Sequence, residues 1–283
     1  MKKVAIIGLG LIGGSLAVDI KKVFGSTIIG VDKNDENAQK ALEIGFIDEI
    51  SSIEKLRDVA VVIVATPVDV MPKVASEVLD VIADETLVFD VGSVKVSICK
   101  FLENHPKRKN FLAAHPIAGT EFSGPEAAIS GLFDKKINII CELEKTDRKI
   151  ANIAFDIFDK LGMRYKYMSP IEHDRHIAYV SHLSHVSSFM LGKTVLEIEK
   201  NEQNIFDMAG SGFESTVRLA KSSPNTWTPI FLNNKKNLLS SLDEYIKNLT
   251  EFKKLIEENN SEEIHNIMND TNRLKQILKG INK

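Results

Sequence analysis

A Gly-x-Gly-x-x-Gly turn between a predicted strand and a predicted helix constrains this chain most. Gly8, Gly10 and Gly13 follow the apolar run 4–7 and open a helical pattern over 11–23. In such a turn the first glycine allows a tight bend, the second lets the backbone approach a pyrophosphate, and the third lets the helix pack on the strand. The helix N-terminus then offers free N–H groups and a partial positive charge to phosphate. The pattern predicts a dinucleotide site formed by Gly8, Leu9, Gly10, Leu11, Ile12 and Gly13.

Asp32 is the residue expected to select the cofactor. It follows the second predicted strand, 27–31, at the distance where an acid accepts hydrogen bonds from the adenosine ribose. A carboxylate there repels a 2′-phosphate, so we expect NAD rather than NADP. Lys33 is a neighbouring cation that weakens this preference. A glycine-rich turn without a ligand is the alternative, and the surrounding βαβ pattern argues against it.

The first half of the chain alternates short β-branched runs with helical patterns, which is typical of an α/β fold with a parallel sheet. The runs cover 4–7, 27–31, 61–65, 87–91, 111–114 and 137–141, and the main helical patterns cover 11–23, 36–42, 70–82 and 148–161. Strand signals cease after Ser169 and Pro170. We therefore predict an NAD-binding Rossmann domain with a doubly wound, mainly parallel sheet over 1–169. An all-α substrate-binding and dimerisation domain is expected over 170–283.

The helical half contains an apolar seam after Pro229. Its members are spaced alternately four and three residues apart: Leu238, Leu242, Tyr245, Leu249, Phe252 and Ile256. This spacing predicts a helix of roughly 30 residues that presents one apolar stripe. The stripe packs either inside its own domain or against a second copy, and we favour a homodimer because homodimers are the commonest oligomers. One further helix is expected over 261–283.

Composition excludes several function classes. The 283 residues contain 36 Lys and Arg against 39 Asp and Glu, a formal charge of −3, which provides no basic field for nucleic acid. The longest apolar run, 59–68, has ten residues where a membrane span needs roughly 20. Cys99 and Cys141 form neither a CxxC motif nor a disulfide framework. With a strand pattern that begins at residue 4, we expect a cytoplasmic protein that begins near Met1.

Polar residues follow three of the predicted strands. Thr66 and Pro67 follow 61–65, Ser93 follows 87–91, and His115 follows 111–114. Ligands of a doubly wound sheet lie at the carboxyl ends of its strands, so these residues are expected beside the nicotinamide. Histidine is a suitable base for a substrate hydroxyl that loses its proton while hydride leaves the same carbon. Ordinary turns and a satisfied core histidine are the alternatives.

Five segments of the sequence together resemble one enzyme family. They are residues 8–15, Asp90-Val91-Gly92-Ser93-Val94-Lys95, His115-Pro116-Ile117-Ala118-Gly119-Thr120-Glu121, Ser181-His182-Leu183-Ser184-His185, and Gly212-Phe213 followed by Arg218. This order resembles the prephenate and arogenate dehydrogenases of tyrosine biosynthesis. Ser184 stands where the family has proline. The resemblance implies NAD-dependent oxidative decarboxylation of prephenate to 4-hydroxyphenylpyruvate.

The resemblance also implies residue roles. His115 would accept the hydroxyl proton, Ser93 would hold His115 in place, and Arg218 would anchor a substrate carboxylate. His182 and His185 would face the substrate, and Trp227 falls where the family often has a tryptophan.

Glu121 resembles an acidic gate residue of some family members. The usual acidic partner site, three residues before Arg218, is Ser215 here. This departure counts against a gating ion pair.

Other functions stay open at this stage. Arogenate dehydrogenase, which yields tyrosine, shares the same motifs. A 3-hydroxyacid dehydrogenase would rely on a lysine in the helical half, and a non-catalytic NAD-binding sensor would not need His115. A metal site is the competing interpretation of His173, His176, His182 and His185, but no HExxH motif is present.

Overall fold

The computed structural model describes residues 2–200 and 205–281 and contains an eight-stranded sheet in the order β3-β2-β1-β4-β5-β6-β7-β8. The strands are β1 (Lys3–Ile7), β2 (Thr27–Val31), β3 (Glu49–Ile50), β4 (Val61–Val64), β5 (Leu87–Asp90), β6 (Phe111–Pro116), β7 (Ile137–Cys141) and β8 (Arg164–Tyr167). Every neighbouring pair is parallel except β6 and β7. The predicted Rossmann-like, mainly parallel sheet is thus confirmed; the two-residue strand β3 was not predicted.

Twelve α-helices are assigned within the described ranges. They are α1 (Leu11–Phe24), α2 (Asp35–Ile44), α3 (Met71–Val81), α4 (Val96–Phe101), α5 (Arg148–Lys160), α6 (Pro170–Ile177), α7 (Leu183–Glu199), α8 (Ser211–Val217), α9 (Pro224–Asn233), α10 (Lys235–Glu257), α11 (Ser261–Thr271) and α12 (Leu274–Ile281). A π-helical turn, Ala178–His182, joins α6 to α7. The start of α6 follows from a capping box, in which Ser169 and Glu172 satisfy each other's backbone N–H groups.

The sheet is covered by apolar layers on both faces. Along β1, Val4 and Ile6 belong to one buried cluster, and Ala5 and Ile7 belong to the other. Successive strand residues point to opposite faces, so both sets are buried when helices cover both sides. This explains why the strands read as continuous apolar runs rather than as an alternating pattern.

The chain divides into two compact units, Met1–Lys235 and Lys236–Lys283. The first unit contains the sheet and every residue predicted for the site. A domain boundary near Ser169 stays a proposal.

Two helix predictions were wrong. Helix α10 has 23 residues rather than roughly 30, because α9 ends at Asn233 and Asn234 leaves helical geometry. The predicted last helix is two helices, α11 and α12, separated by residues 272–273, and residues 282–283 lie outside the described part.

None of the helices in the described ranges has both the length and the apolar character required to span a membrane.

Candidate active site

The glycine turn that connects β1 to α1 is tightly packed at Gly8 and Gly13 and open at Gly10. Gly8 has φ +93°, and a Cβ added to Gly13 would lie 2.0 Å from the carbonyl oxygen of Gly8. Apart from the immediately adjoining chain, no atom of the described residues lies within 4 Å of a Cβ added to Gly10. The turn therefore needs glycine at 8 and 13 for its own geometry, whereas Gly10 leaves room for a phosphate to approach the backbone.

Asp32 lies beside this turn, at the end of β2. Its Oδ2 accepts a hydrogen bond from the backbone N–H of Leu9 (2.8 Å), and its Oδ1 accepts one from Asn34 (2.9 Å). The carboxylate is half-buried and is fixed in place by these two bonds. Each carboxylate oxygen has a second lone pair, so Asp32 is able to accept further bonds from ribose hydroxyls.

Thr66 follows β4 on the same edge of the sheet. Its Oγ1 atom is buried and has no hydrogen-bond partner among the described residues. Buried hydroxyls normally have hydrogen-bond partners. A hydroxyl without one, at the edge of the sheet where the cofactor is predicted to bind, is available to bond the cofactor. Pro67 is exposed next to it.

His115 lies near the end of β6 and is only 8% exposed. Its Nδ1 is 2.8 Å from Nε2 of His173, and His173 Nδ1 is 2.7 Å from Oδ1 of Asp174. Burial lowers the pKa of His115 well below its ordinary value of 6.5, and the neighbouring His173, Lys95 and His182 add to this effect. His115 is therefore a neutral imidazole at neutral pH, which is able to accept a proton.

A buried ion pair holds the end of β6 beside β5. Lys95 and Asp90 are fully buried and paired with each other. Asp90 Oδ1 accepts from the Ala114 N–H (3.2 Å), and Lys95 Nζ donates to the Ala114 carbonyl (2.7 Å). Backbone pairing between β5 and β6 ends at Phe89 and Leu112. Beyond that point, the Asp90 and Lys95 side chains bond the backbone N–H and C=O of Ala114, the residue before His115. Both residues lie in the motif 90–95, but no role for them was predicted from the sequence.

Three aromatic rings come together in the helical part of this unit. His185 stacks on Trp227 with ring centroids 3.3 Å apart, and His182 lies edge-on to Trp227 at 6.0 Å. His182 is buried; its Nδ1 lies 3.2 Å from Nδ2 of Asn234, and its Nε2 has no partner in the described structure. Burial lowers the pKa of His182 to about 4. Asn234 was not predicted from the sequence, because it belongs to no recognisable motif.

Arg218 and Glu121 form an ion pair in which Nη1 lies 3.1 Å from Oε2. Serine at 215 counted against a gating ion pair in the sequence, yet Glu121 pairs with Arg218 without an acid at 215. Ser215 instead donates its hydroxyl hydrogen to the carbonyl of Gly212. Arg218 remains half exposed, so its guanidinium is able to bind a second anion.

Ser93 is half-buried, and no hydrogen bond in the described residues connects it to His115. His173 occupies the partner position at Nδ1 instead, so the role of Ser93 stays a prediction. No group of three or more histidine, cysteine or acidic side chains in the described ranges is arranged to bind a metal ion.

Comparison with known proteins gives a consistent result. A family model described as prephenate dehydrogenase, nucleotide-binding domain, matches residues 16–167, and one described as prephenate dehydrogenase, dimerization domain, matches 169–270. The prephenate dehydrogenase of Bacillus subtilis (strain 168) is 34% identical over 266 residues, 92% of this chain and 72% of that protein.

Two solved structures are also similar. That of Aquifex aeolicus prephenate dehydrogenase in complex with hydroxyphenyl propionate and NAD+ matches with TM-score 0.89 and 34% identity, covering 98% of each chain. The structure of Synechocystis arogenate dehydrogenase matches with TM-score 0.76 and 27% identity, covering 98% of this chain and 99% of that one.

Proposed function

The chain belongs to the prephenate dehydrogenase family, and we propose that His115 is the base of its NAD-dependent oxidative decarboxylation of prephenate. The activity converts prephenate to 4-hydroxyphenylpyruvate and CO2 with formation of NADH. The observation that carries the residue assignment is the position of His115. It is a buried, neutral imidazole at the carboxyl end of the sheet, and its Nε2 atom has no partner among the described residues.

The chemistry requires a group that accepts a proton and later returns it. Prephenate loses hydride from the ring carbon that carries its hydroxyl, and His115 takes the hydroxyl proton. The ring carboxylate then leaves as CO2, and the electron pair of the broken C–C bond makes the ring aromatic and reaches the former hydroxyl oxygen. That oxygen regains a proton from His115. The overall reaction releases no proton, so His115 ends in its starting state.

NAD, when bound, supplies the hydride acceptor. The residues present fit it: Gly10 leaves its backbone accessible, Asp32 presents a fixed carboxylate, and Thr66 has an orphaned hydroxyl beside the same edge. We propose that these residues hold its pyrophosphate, its adenosine ribose and its nicotinamide half, respectively.

We propose two substrate contacts, Arg218 because of its charge and His182 because its Nε2 atom has no partner among the described residues. Arg218 carries the half-exposed guanidinium, which suits a carboxylate because it donates two parallel hydrogen bonds. Asn234 Nδ2 also donates to the backbone carbonyl of Asp174 (2.6 Å), which identifies this atom as the donor toward His182 Nδ1. His182 therefore carries its hydrogen on Nε2, the buried atom without a partner, and we propose that it donates to the substrate. His185 and Trp227 would line the same pocket.

Arogenate is the second candidate substrate. Its support is the similarity to the Synechocystis arogenate dehydrogenase. Arogenate differs from prephenate by an amine in place of the side-chain keto group. The proposed base and carboxylate contacts serve both substrates.

We also propose a homodimer through the helical half. The family model described as a dimerization domain matches residues 169–270, a range that includes α10. Several large apolar side chains of α10 are exposed, among them Leu239, Ile246, Leu249 and Ile256. Such residues on one helix are typical of an association surface. Sedimentation should give a dimer for the native chain and a monomer for Leu249→Lys; an unchanged mass for the variant would exclude this part of the surface.

The proposed function is tested by NADH absorbance with prephenate or arogenate, each with NAD or NADP, and by chromatography of the product. We expect the highest kcat/KM with prephenate and NAD. His115→Asn should lower kcat by about 10²- to 10⁴-fold, the usual contribution of a general base, while NAD binding is retained. His176→Asn, on the exposed face of α6, is the matched control. An active His115→Asn variant would exclude His115 as the base.

A further inference from the structure

Two hydrogen bonds connect His115 to a buried carboxylate through a second histidine. The contacts join Nδ1 of His115 to Nε2 of His173, and Nδ1 of His173 to Oδ1 of Asp174. His173 and Asp174 lie on α6 and are both buried. A hydrogen-bonded chain therefore runs from the strand that carries the proposed base to a helix packed against it.

Only one placement of the ring hydrogens gives each hydrogen bond in the series His115–His173–Asp174 one donor and one acceptor. Asp174 accepts the backbone N–H groups of Lys95 (2.7 Å) and Val96 (2.9 Å), so its carboxylate acts as an acceptor. The hydrogen between Asp174 and His173 therefore belongs to His173 Nδ1. A neutral imidazole carries one ring hydrogen, so Nε2 of His173 accepts and Nδ1 of His115 donates. Nε2 of His115 keeps its lone pair.

This arrangement of hydrogens requires a neutral His173. Burial lowers its pKa; Lys95 acts in the same direction, whereas Asp174 and Asp90 oppose it. His182, from the π-helical turn, also lowers the pKa of His115, and burial lowers the pKa of His182 itself to about 4. Lys95 is paired with Asp90 in the buried ion pair described above.

We propose that His173, held by Asp174, is a positioning residue that fixes His115 in the Nδ1–H tautomer and so presents Nε2 as the proton acceptor. This inference rests on the proposed role of His115 as the base. When Nε2 takes the substrate proton, the resulting imidazolium faces the positive charge of Lys95. The bond from Nδ1–H through His173 to the Asp174 carboxylate stabilises that imidazolium.

The tautomer can be measured without turnover. In protein labelled with 15N-histidine, long-range proton–nitrogen NMR spectra distinguish Nδ1–H from Nε2–H rings, and His115→Asn identifies the signals of residue 115. We expect the Nδ1–H form in the resting wild-type protein and a mixture of both forms in His173→Phe. A wild-type His115 in the Nε2–H form would overturn the proposal even if His115→Asn is inactive. Conversely, an active His115→Asn variant refutes the base and leaves the tautomer result standing.

Kinetics of two variants separate positioning from packing. His173→Phe fills the space but has no acceptor, so kcat should fall by about 10²-fold, the lower range for a general base, with KM values within about twofold. The acidic limb of the kcat profile should move to lower pH, because the imidazolium at 115 loses its support. His173→Gln, whose amide oxygen is able to accept from Nδ1–H, should recover at least about a tenth of the lost rate.

His176→Phe, an exposed residue of the same helix, controls for the substitution itself, and circular dichroism with NAD titration checks folding. Equal losses in His173→Phe and His173→Gln with an unmoved pH profile would indicate a packing role only and would refute the proposal.

Discussion

Nη1 of Arg218 lies 3.1 Å from Oε2 of Glu121, although 97 positions separate the two residues in the chain. The guanidinium proposed to bind the substrate therefore already has a carboxylate of its own chain as a partner. A backbone hydrogen bond and the charge of Arg218 lower the pKa of Glu121, so the pair stays ionised near neutral pH. A substrate carboxylate has to share or displace this contact.

Arg218→Gln should raise the KM for prephenate by about 10- to 100-fold, because a charge-assisted hydrogen bond to a carboxylate is lost. The change in kcat should be smaller, since the carboxylate contact exists before and during the reaction. Steady-state kinetics measure both constants. Lys221→Gln, an exposed cation three positions away, is the control for net charge. A KM for Arg218→Gln that matches that of the control would remove Arg218 from the substrate site.

Glu121→Gln is expected to act in the opposite direction. It removes the competing carboxylate and leaves the guanidinium free, so the KM for prephenate should fall by about two- to fivefold, as for loss of a largely solvated ion pair. The effect should shrink in high salt, which screens the pair in the wild type. A rise in KM would show that Glu121 itself contacts the substrate or holds Arg218 in its productive orientation.

The sheet could be predicted because its signals are local. Six predicted runs match strands β1, β2 and β4 to β7 within two residues at each end. The glycine turn with Asp32 was likewise found from spacing alone. Strand β3, with two residues, and helix α4, with six, are too short for periodicity to reveal.

Contacts between distant residues could not be predicted in the same way. His173 appeared in the sequence only as a possible metal ligand, because nothing local shows that α6 brings it to β6. The ion pair between Glu121 and Arg218 was not predicted, since the serine at 215, where the family pattern has an acid, counted against such a pair. Both contacts join segments that are far apart in the sequence. The spacing of residues within one segment does not show which other segment will lie against it in the fold.

Two glycines of the turn should separate cofactor binding from folding. Gly10→Ala places a methyl group in open space, so the free energy of unfolding should change by about 1 kcal/mol at most, yet the methyl blocks the approach of a pyrophosphate and NAD binding should weaken by at least about tenfold. Gly13→Ala collides with the carbonyl of Gly8 and with Ile6, so it should lower stability itself. Urea unfolding and NAD titration measure the two effects. Unchanged NAD affinity in Gly10→Ala would place the pyrophosphate elsewhere.

The buried neutral histidines make stability depend on pH. Burial lowers the pKa of His115, His173, His182 and His185 in the folded chain, whereas in the unfolded chain they titrate near 6.5. Between the folded and unfolded pKa values the unfolded state binds more protons, so stability is lost as the pH falls below about 6.5. For His182, with a folded pKa of about 4, this loss amounts to about 2 kcal/mol at pH 5.

His182→Asn tests the contribution of His182 to this pH dependence, because the Asn side chain is able to accept from Asn234 but does not titrate. Urea unfolding near pH 7.5 and near pH 5 should show a smaller decrease in the free energy of unfolding for the variant, by about 2 kcal/mol. The comparison uses the difference between the two pH values, so a uniform loss of stability from the substitution cancels. His176→Gln, an exposed histidine, should keep the wild-type decrease. Equal decreases in His182→Asn and the wild type would mean that His182 is not held neutral in the folded chain.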